Sequence, residues 1–286
     1  MSDLTLRQRV EHLLGCQITS VQPVSGGYTP ATRLLCQTTK GRFFVKAGAT
    51  PLTSEFLRRE IRVYNTIQGD FMPHVVAWDD DTTTPILIIE DLAAHHWPPP
   101  WTAHHVALVL AQIAAMQQTR VTLETFQSLH QGRRAGWETV AANPLPFLSL
   151  GLVNQAWLEH ALPSLIAAEA ACDPGGEQLM HCDLRSDNLC LTYHRAIFVD
   201  WNLACLGTGQ LDLGFWLPSL AHEGGPLPET ILPHAPTVAA WVAGFFAARA
   251  GLPTIPDAPR VRLVQQQQLA TALPWAARAL ALSPVT

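Results

Sequence analysis

The segment His181-Cys182-Asp183-Leu184-Arg185-Ser186-Asp187-Asn188-Leu189, followed by Ile197-Phe198-Val199-Asp200-Trp201, holds three oxygen-bearing side chains at a spacing that few structural roles require. Asp183 and Asn188 lie five apart on what reads as a loop, so one can face a reacting hydroxyl while the other faces a cation. Asp200 closes an apolar run of strand character, where a carboxylate is held rigidly. Phosphoryl transfer from a nucleotide needs such a set. A carboxylate orients or deprotonates the acceptor, and carboxylate or amide oxygens hold magnesium, a hard cation that keeps several waters. One acidic residue alone would carry no such meaning.

Tyr193-His194-Arg195 separates two apolar runs and predicts a hairpin turn inside residues 178–200. Around this island the pattern is helical, with apolar residues at helical spacing over residues 102–118, 153–171, 208–220, 238–250 and 259–280. The first ninety residues differ. A short amphipathic helix at 4–14 precedes strands expected at 18–24, 33–38, 42–46, 75–78 and 85–89, with one helix, 55–67, inserted among them. Ser25-Gly26-Gly27-Tyr28-Thr29-Pro30, Lys40-Gly41 and Asp79-Asp80-Asp81-Thr82 supply turn signals. His95 to Trp101, with three prolines and two tryptophans, reads as a stiff connector. The layout is a small sheet lobe (1–91), a hinge, and a larger helical lobe (92–286) with a central hairpin.

The chain has only two lysines against sixteen arginines. Lys40 beside Gly41 reads as a solvated turn residue. Lys46 ends the apolar run Phe43-Phe44-Val45, where a charge is costly unless paired. Glu55 and Glu60 on the inserted helix compete as its partner, and Glu60 is favoured by the buried stripe of Phe56, Leu57, Ile61 and Tyr64.

These residues resemble the aminoglycoside phosphotransferase and choline kinase family, relatives of the protein kinases, over roughly residues 20–220. The resemblance implies an α+β, bilobal, protein-kinase-like fold: a small N-terminal antiparallel sheet lobe with one key helix, and a larger, mainly helical C-terminal lobe. It implies that Asp183 orients or deprotonates the acceptor hydroxyl, and that Asn188 and Asp200 hold Mg2+. Gly26 and Gly27 would cover the phosphates, and Lys46, positioned by Glu60, would contact the α- and β-phosphates. Glu90, Asp91 and Leu92 would present backbone groups to the purine of ATP, or equally of GTP. His181 would bond the loop backbone, Asp187 would be a cap or a loop hydrogen-bond acceptor, and Asp212 would brace the loop. Arg185 either touches a phosphate or the acceptor, or bonds a loop carbonyl. Asn202 departs from relatives that frequently carry Glu there, which leaves the metal site intact and bears on acceptor recognition.

Other readings fare worse. Net charge is −5 and the local basic clusters are Arg58-Arg59-Arg62 and Arg133-Arg134, so no nucleic-acid partner is expected. No G-x-x-x-x-G-K-[ST] or G-x-S-x-G motif occurs, and His222-Glu223-Gly224-Gly225-Pro226 is not H-E-x-x-H. The pairs His95-His96 and His104-His105 diverge on a helix, and the six cysteines show no C-x-x-C spacing. The N-terminus lacks an apolar core of signal-peptide type. The longest apolar stretch, 106–116, is short for a bilayer span and interrupted by Gln112, so a cytoplasmic protein with no membrane partner is expected. A catalytically silent nucleotide-binding protein would need a damaged motif, and a protein kinase would need D-F-G and A-P-E segments; neither condition is met.

The acceptor is a small hydroxylated molecule on this reading, whether aminoglycoside, other antibiotic or metabolite. After Leu92 there are thirteen acids against nine arginines, and four of those acids belong to the motif set, so no carboxylate excess awaits a polycation. Eight of nine tryptophans lie after residue 92, offering either an aromatic cage or core packing. Residues 136–157 and the last two helices are the expected acceptor walls, and Gln265 to Gln268 the polar face of the last helix.

Overall fold

The computed structural model describes residues 3–129 and 136–285, and the pair Arg133-Arg134 lies outside the described residues. After α1 (Asp3–Leu14), strands β1 (Ile18–Pro23), β2 (Thr32–Thr38), β3 (Gly41–Ala47), β4 (Val75–Asp80) and β5 (Pro85–Glu90) form an antiparallel sheet in the order β1-β2-β3-β5-β4. The period of two along these strands decides what faces the cleft. Val45, Ala47, Ile86 and Ile88 bury one face against Leu6, Val10 and Leu14 of α1. The alternate residues, Phe44, Lys46, Leu87 and Ile89, therefore face the cleft on the other side. Lys46 sits in register between Arg33 and Leu87.

Helix α2 (Pro51–Thr66) begins four residues before the expected start. Thr50 caps it by accepting from the Thr53 N–H, Thr53 returns a hydroxyl to the Thr50 N–H, and Pro51 opens the first turn without wasting a donor. Its buried stripe of Leu57, Glu60, Ile61 and Tyr64 carries Glu60 inward. Strand β4 likewise runs past the expected end, through Asp79 and Asp80, because cations from two helices meet these acids. Arg9 of α1 pairs with Asp79, and Arg58 of α2 bonds Asp80 at 2.7 and 3.0 Å. The turn itself starts at Asp81, whose carboxylate accepts from the N–H groups of Thr83 and Thr84. Arg58 is thus part of the sheet's bracing.

Beyond the connector the chain is mainly helical: α3 (Ala103–Gln118), α4 (Phe126–Leu129), α5 (Gly136–Ala142), α6 (Leu145–Leu148), α7 (Gln155–Ala170), α8 (Gly209–His222), α9 (Pro228–Ile231), α10 (Pro236–Ala250) and α11 (Val261–Ala279). Two small antiparallel pairs interrupt them, β6 (Gln178–Met180) with β9 (Cys205–Gly207), and β7 (Leu189–Leu191) with β8 (Ala196–Phe198). The expected hairpin at Tyr193 is the β7–β8 turn. The mixed architecture is the expected one: an antiparallel sheet with one inserted helix, then a helical remainder. Among the described residues, no helix is long and apolar enough to cross a membrane.

Helix α10 is buried along most of its length and packs against α5, α7, α8 and α11. Its approach to α5 requires glycine: a Cβ on Gly136 would lie 2.3 Å from the Gly244 carbonyl. At the same place Glu169 of α7, 5% exposed, accepts from the N–H groups of Gly136 and Trp137, both at 2.9 Å, and so caps α5. Burial pushes its pKa up to about 7, against the opposing pull of those two donors. The native state therefore holds a proton that the unfolded chain releases near pH 4.5. Stability should fall as pH rises from 4.5 through 7, by a few kcal/mol at most (about 1.4 kcal/mol for each unit the pKa is raised). Urea unfolding at pH 5 and pH 8 should show this loss in the wild type and a flatter profile in Glu169→Gln.

Candidate active site

The loop between β6 and β7 is fixed before its functional residues begin. The N–H groups of His181 and Cys182 donate to the two oxygens of fully buried Asp212, at 2.9 and 2.7 Å. The His181 ring donates from Nε2 to the Val199 carbonyl at 3.0 Å, tying the loop to the segment that leads from β8 to Asp200. Burial pushes the His181 pKa down to about 4, so the ring is neutral. Cys182 and Asp200 both adopt left-handed backbone, φ +65° and +69°, a conformation that costs non-glycine residues about 1–2 kcal/mol each. Such strain persists because the surrounding bonds over-determine it. Asp212→Ala would strand two buried donors and should cost about 2–5 kcal/mol in chemical denaturation, with Asp212→Asn costing less.

Asp183 and Asn188 bond each other directly, a contact that the spacing alone does not specify. The Asn188 amide nitrogen donates to the Asp183 carbonyl at 2.8 Å and to Asp183 Oδ2 at 3.2 Å. Arg185 bonds carboxylates and not a loop carbonyl, and it lines a cavity beside Asp183. Its guanidinium pairs with Asp183 Oδ1 and, at 3.0 and 3.1 Å, with Asp187. Tyr28, from the glycine loop, lies under it with the ring centroid 4.9 Å away.

Lys46 meets both carboxylates expected of the site, Glu60 Oε2 at 2.6 Å and Asp200 Oδ1 at 2.8 Å. Burial alone would lower the lysine pKa, but the paired charges of Asp200 and Glu60 outweigh it and keep the ammonium charged above its ordinary value. Burial raises Glu60, 3% exposed, whereas the more open Asp200 is held below the usual carboxylate range by Lys46 despite the opposing effect of burial. Glu55 is exposed and plays no part. Lys40 is not simply solvated: its ammonium donates to the Leu14 carbonyl at 2.9 Å, closing the end of α1.

A cavity of about 450 Å³ lies between sheet and loop, and Lys46, Glu60, Asn188 and Asp200 all line it. Its apolar slot is built by Leu35, Phe44, Leu87, Ile89 and Val199. Gly26 and Gly27 form one edge at φ +137° and +71°, which explains glycine there. Arg33 Nη1 braces this loop by donating to the carbonyls of Thr29 and Ala31. Glu90, Asp91 and Leu92 also line the cavity, with part of their bonding already committed. The Glu90 N–H donates to His74, the Leu92 carbonyl accepts from the Trp97 indole, and the Asp91 carboxylate turns to Arg42 and the Ala93 N–H. Arg33 and Trp97 are cleft residues that the sequence reading did not assign. Facing across from Lys46 in a hairpin was the available signal for Arg33.

A model of the phosphotransferase enzyme family matches residues 20–264. This chain belongs to that family. It is a phosphotransferase with an alcohol group as acceptor. Solved structures of the same fold include spectinomycin phosphotransferase APH(9)-Ia in complex with ADP and spectinomycin (TM-score 0.67, 14% identity, 99% of each chain covered). They also include a thermostable mutant of aminoglycoside phosphotransferase APH(4)-Ia with ADP and hygromycin B (TM-score 0.60, 14% identity, 97% of this chain and 98% of that one). Choline kinase LicA from Streptococcus pneumoniae matches with TM-score 0.60 at 15% identity over 98% of each chain. A search of curated proteins finds no match.

The donor set of this phosphotransferase fits a magnesium ion. Asn188 uses its amide nitrogen on Asp183, which leaves its oxygen for a hard cation, and Asp200 uses one oxygen on Lys46. Among the described residues, no cluster of three or more His, Cys, Asp or Glu could hold a metal.

On the far side of Asp183 lies a second, smaller cavity of about 180 Å³. Phe215 of α8, Phe245 and Phe246 of α10, and Val264, Gln265 and Gln268 of α11 form its walls. The last two helices line this cavity and residues 136–157 do not. Trp137 is buried against α10, its indole donating to the Ala240 carbonyl at 2.8 Å. None of the tryptophans lines this cavity; Trp137, Trp201, Trp216, Trp241 and Trp275 are core residues. Gln268 is 7% exposed, so the glutamine run is not a simple solvent face. Asn202 lines neither cavity.

Proposed function

We propose that this phosphotransferase is a small-molecule kinase that transfers the γ-phosphoryl group of ATP or GTP directly to an acceptor hydroxyl. The observation that carries the reading is the convergence of Lys46, Glu60 and Asp200 with Asp183 and Asn188 in the strip between the two cavities. The larger cavity takes the nucleotide, with its purine in the apolar slot against Asp91 and Leu92 and its phosphates under Gly26 and Gly27. Lys46, held by Glu60, neutralises phosphate charge. Asn188 and Asp200 would hold magnesium, which offsets charge on the phosphate oxygens when bound. Asp183 faces the acceptor cavity and aligns the hydroxyl in line with the γ-phosphate. Its carboxylate already carries Arg185, which favours orienting the hydroxyl over strongly deprotonating it, in keeping with a loose transition state that asks little of a base.

On this reading residues 1–91 form the nucleotide lobe and 92–286 the acceptor lobe. A small-molecule acceptor is favoured over a protein because only the short turn Trp201–Leu203 and β9 separate Asp200 from α8. That leaves no room for an activation segment. Calorimetric titration with ATP and GTP, with and without Mg2+, tests the nucleotide half of the reading. Binding that strengthens with Mg2+ and weakens in Asp200→Ala is expected; binding of neither nucleotide would overturn it.

A further inference from the structure

We propose that Tyr28 is a positioning residue whose ring clasps the glycine loop to the Asp183 loop through Arg185, so that a bound nucleotide leaves only when this contact opens; this rests on the kinase reading above. Gly26 and Gly27 edge the larger cavity. Tyr28, the next residue, instead lines the two smaller cavities beside Asp183, of about 180 and 50 Å³, and shares both with Arg185. Among the described residues of the sheet lobe it is the one that reaches either of them. One short loop thus covers the nucleotide with its glycines and walls the other side of the cleft with its tyrosine.

Both ends of the contact are held. On the glycine-loop side, Arg33 Nη1 donates to the Thr29 and Ala31 carbonyls at 3.2 and 3.1 Å. Its guanidinium also lies so close to Gly27 that a Cβ there would come within 2.5 Å of it. Residues 27–31 are therefore braced as one piece, and lifting the glycines off a phosphate lifts Tyr28 with them. On the other side, Arg185 is fixed by Asp183 and, at 3.0 and 3.1 Å, by Asp187, in a loop that Asp212 anchors. The guanidinium N–H groups lie in its plane, so the carboxylates take its edges and leave a face for the Tyr28 ring, 4.9 Å away at the centroid. Tyr28 is half-buried, and burial together with the Asp187 charge pushes its phenol above its ordinary value, so the ring stays neutral. The same guanidinium bonds Asp183, so closing the loop over a nucleotide also settles the carboxylate that orients the acceptor on the proposed mechanism. A ring over a guanidinium in such a setting is worth a factor of about 3–30 in an equilibrium.

The test is release of N-methylanthraniloyl-labelled ADP and GDP from the full chain with Mg2+, followed by stopped-flow fluorescence after a chase of unlabelled nucleotide. Tyr28→Leu keeps the bulk but has no ring face. It should release nucleotide about 3–30-fold faster, with association changed by less than about twofold. Tyr28→Phe should restore slow release. In an Arg185→Ala background, Tyr28→Leu should change release by less than about twofold, the signature of a shared contact. Release unchanged in Tyr28→Leu, release as fast in Tyr28→Phe as in Tyr28→Leu, or an acceleration that persists in full in the Arg185→Ala background overturns the proposal. Failure of the kinase reading would show separately, as absence of Mg2+-dependent binding of either nucleotide to the wild-type chain.

Discussion

Asp183→Asn should slow phosphoryl transfer by about 10²–10⁴-fold while leaving the protein folded. The side chain is isosteric, and the neighbours it serves keep their other partners. Arg185 remains paired with Asp187, and Asn188 still bonds the Asp183 carbonyl. The loop's main supports, Asp212 and the His181 ring, do not involve the Asp183 side chain. On the proposed mechanism, what is lost is the negative charge that would align the acceptor hydroxyl. A drop in kcat with nucleotide affinity and thermal stability unchanged would mark that loss, whereas unaltered turnover would remove Asp183 from the reaction.

Lys46→Met should do more, because it injures stability and chemistry together. Glu60 is 3% exposed, and Lys46 is the cation that compensates it and Asp200. Removing one partner of a buried pair typically costs about 3–5 kcal/mol. The rate should fall at least as far as for loss of one preorganised donor to the reacting charge, about 10²–10³-fold. Adding Glu60→Gln separates the two effects. The double variant should recover much of the stability and none of the rate, read by urea unfolding and turnover side by side. A double variant as unstable as Lys46→Met would mean that the unpaired Glu60 was not the cause.

How much of this was legible beforehand follows the range of the interactions. Asp183 and Asn188 are five apart on one loop, so the spacing shows that they share it, while the bond between them comes from the Asn188 amide turning back on Asp183. Lys46 was conspicuous as a charge closing an apolar strand, and Glu60 as the acid on the buried stripe of an amphipathic helix. Both are period arguments, and the alternation of β3 against α1 and the cleft bears them out. The extra turn of α2 escaped because Thr50 and Thr53 form a capping box without the usual Glu. The extension of β4 escaped because Asp79 and Asp80 look like a turn until Arg9 and Arg58 arrive from elsewhere. The cavity beside Asp183 was the least legible part. Phe215, Phe245, Phe246 and Gln268 come from three helices whose packing no local pattern specifies, and the tryptophans that drew the eye are mostly core.

The most direct measurement follows the label from γ-phosphate-labelled ATP and GTP, with Mg2+, into a mixed set of small hydroxylated molecules. The protein itself and the released phosphate are counted alongside. The account predicts label on a small-molecule hydroxyl, dependent on Mg2+ and absent with Asp183→Asn. Label that goes only to protein, or transfer that survives in Asp183→Asn, would contradict it.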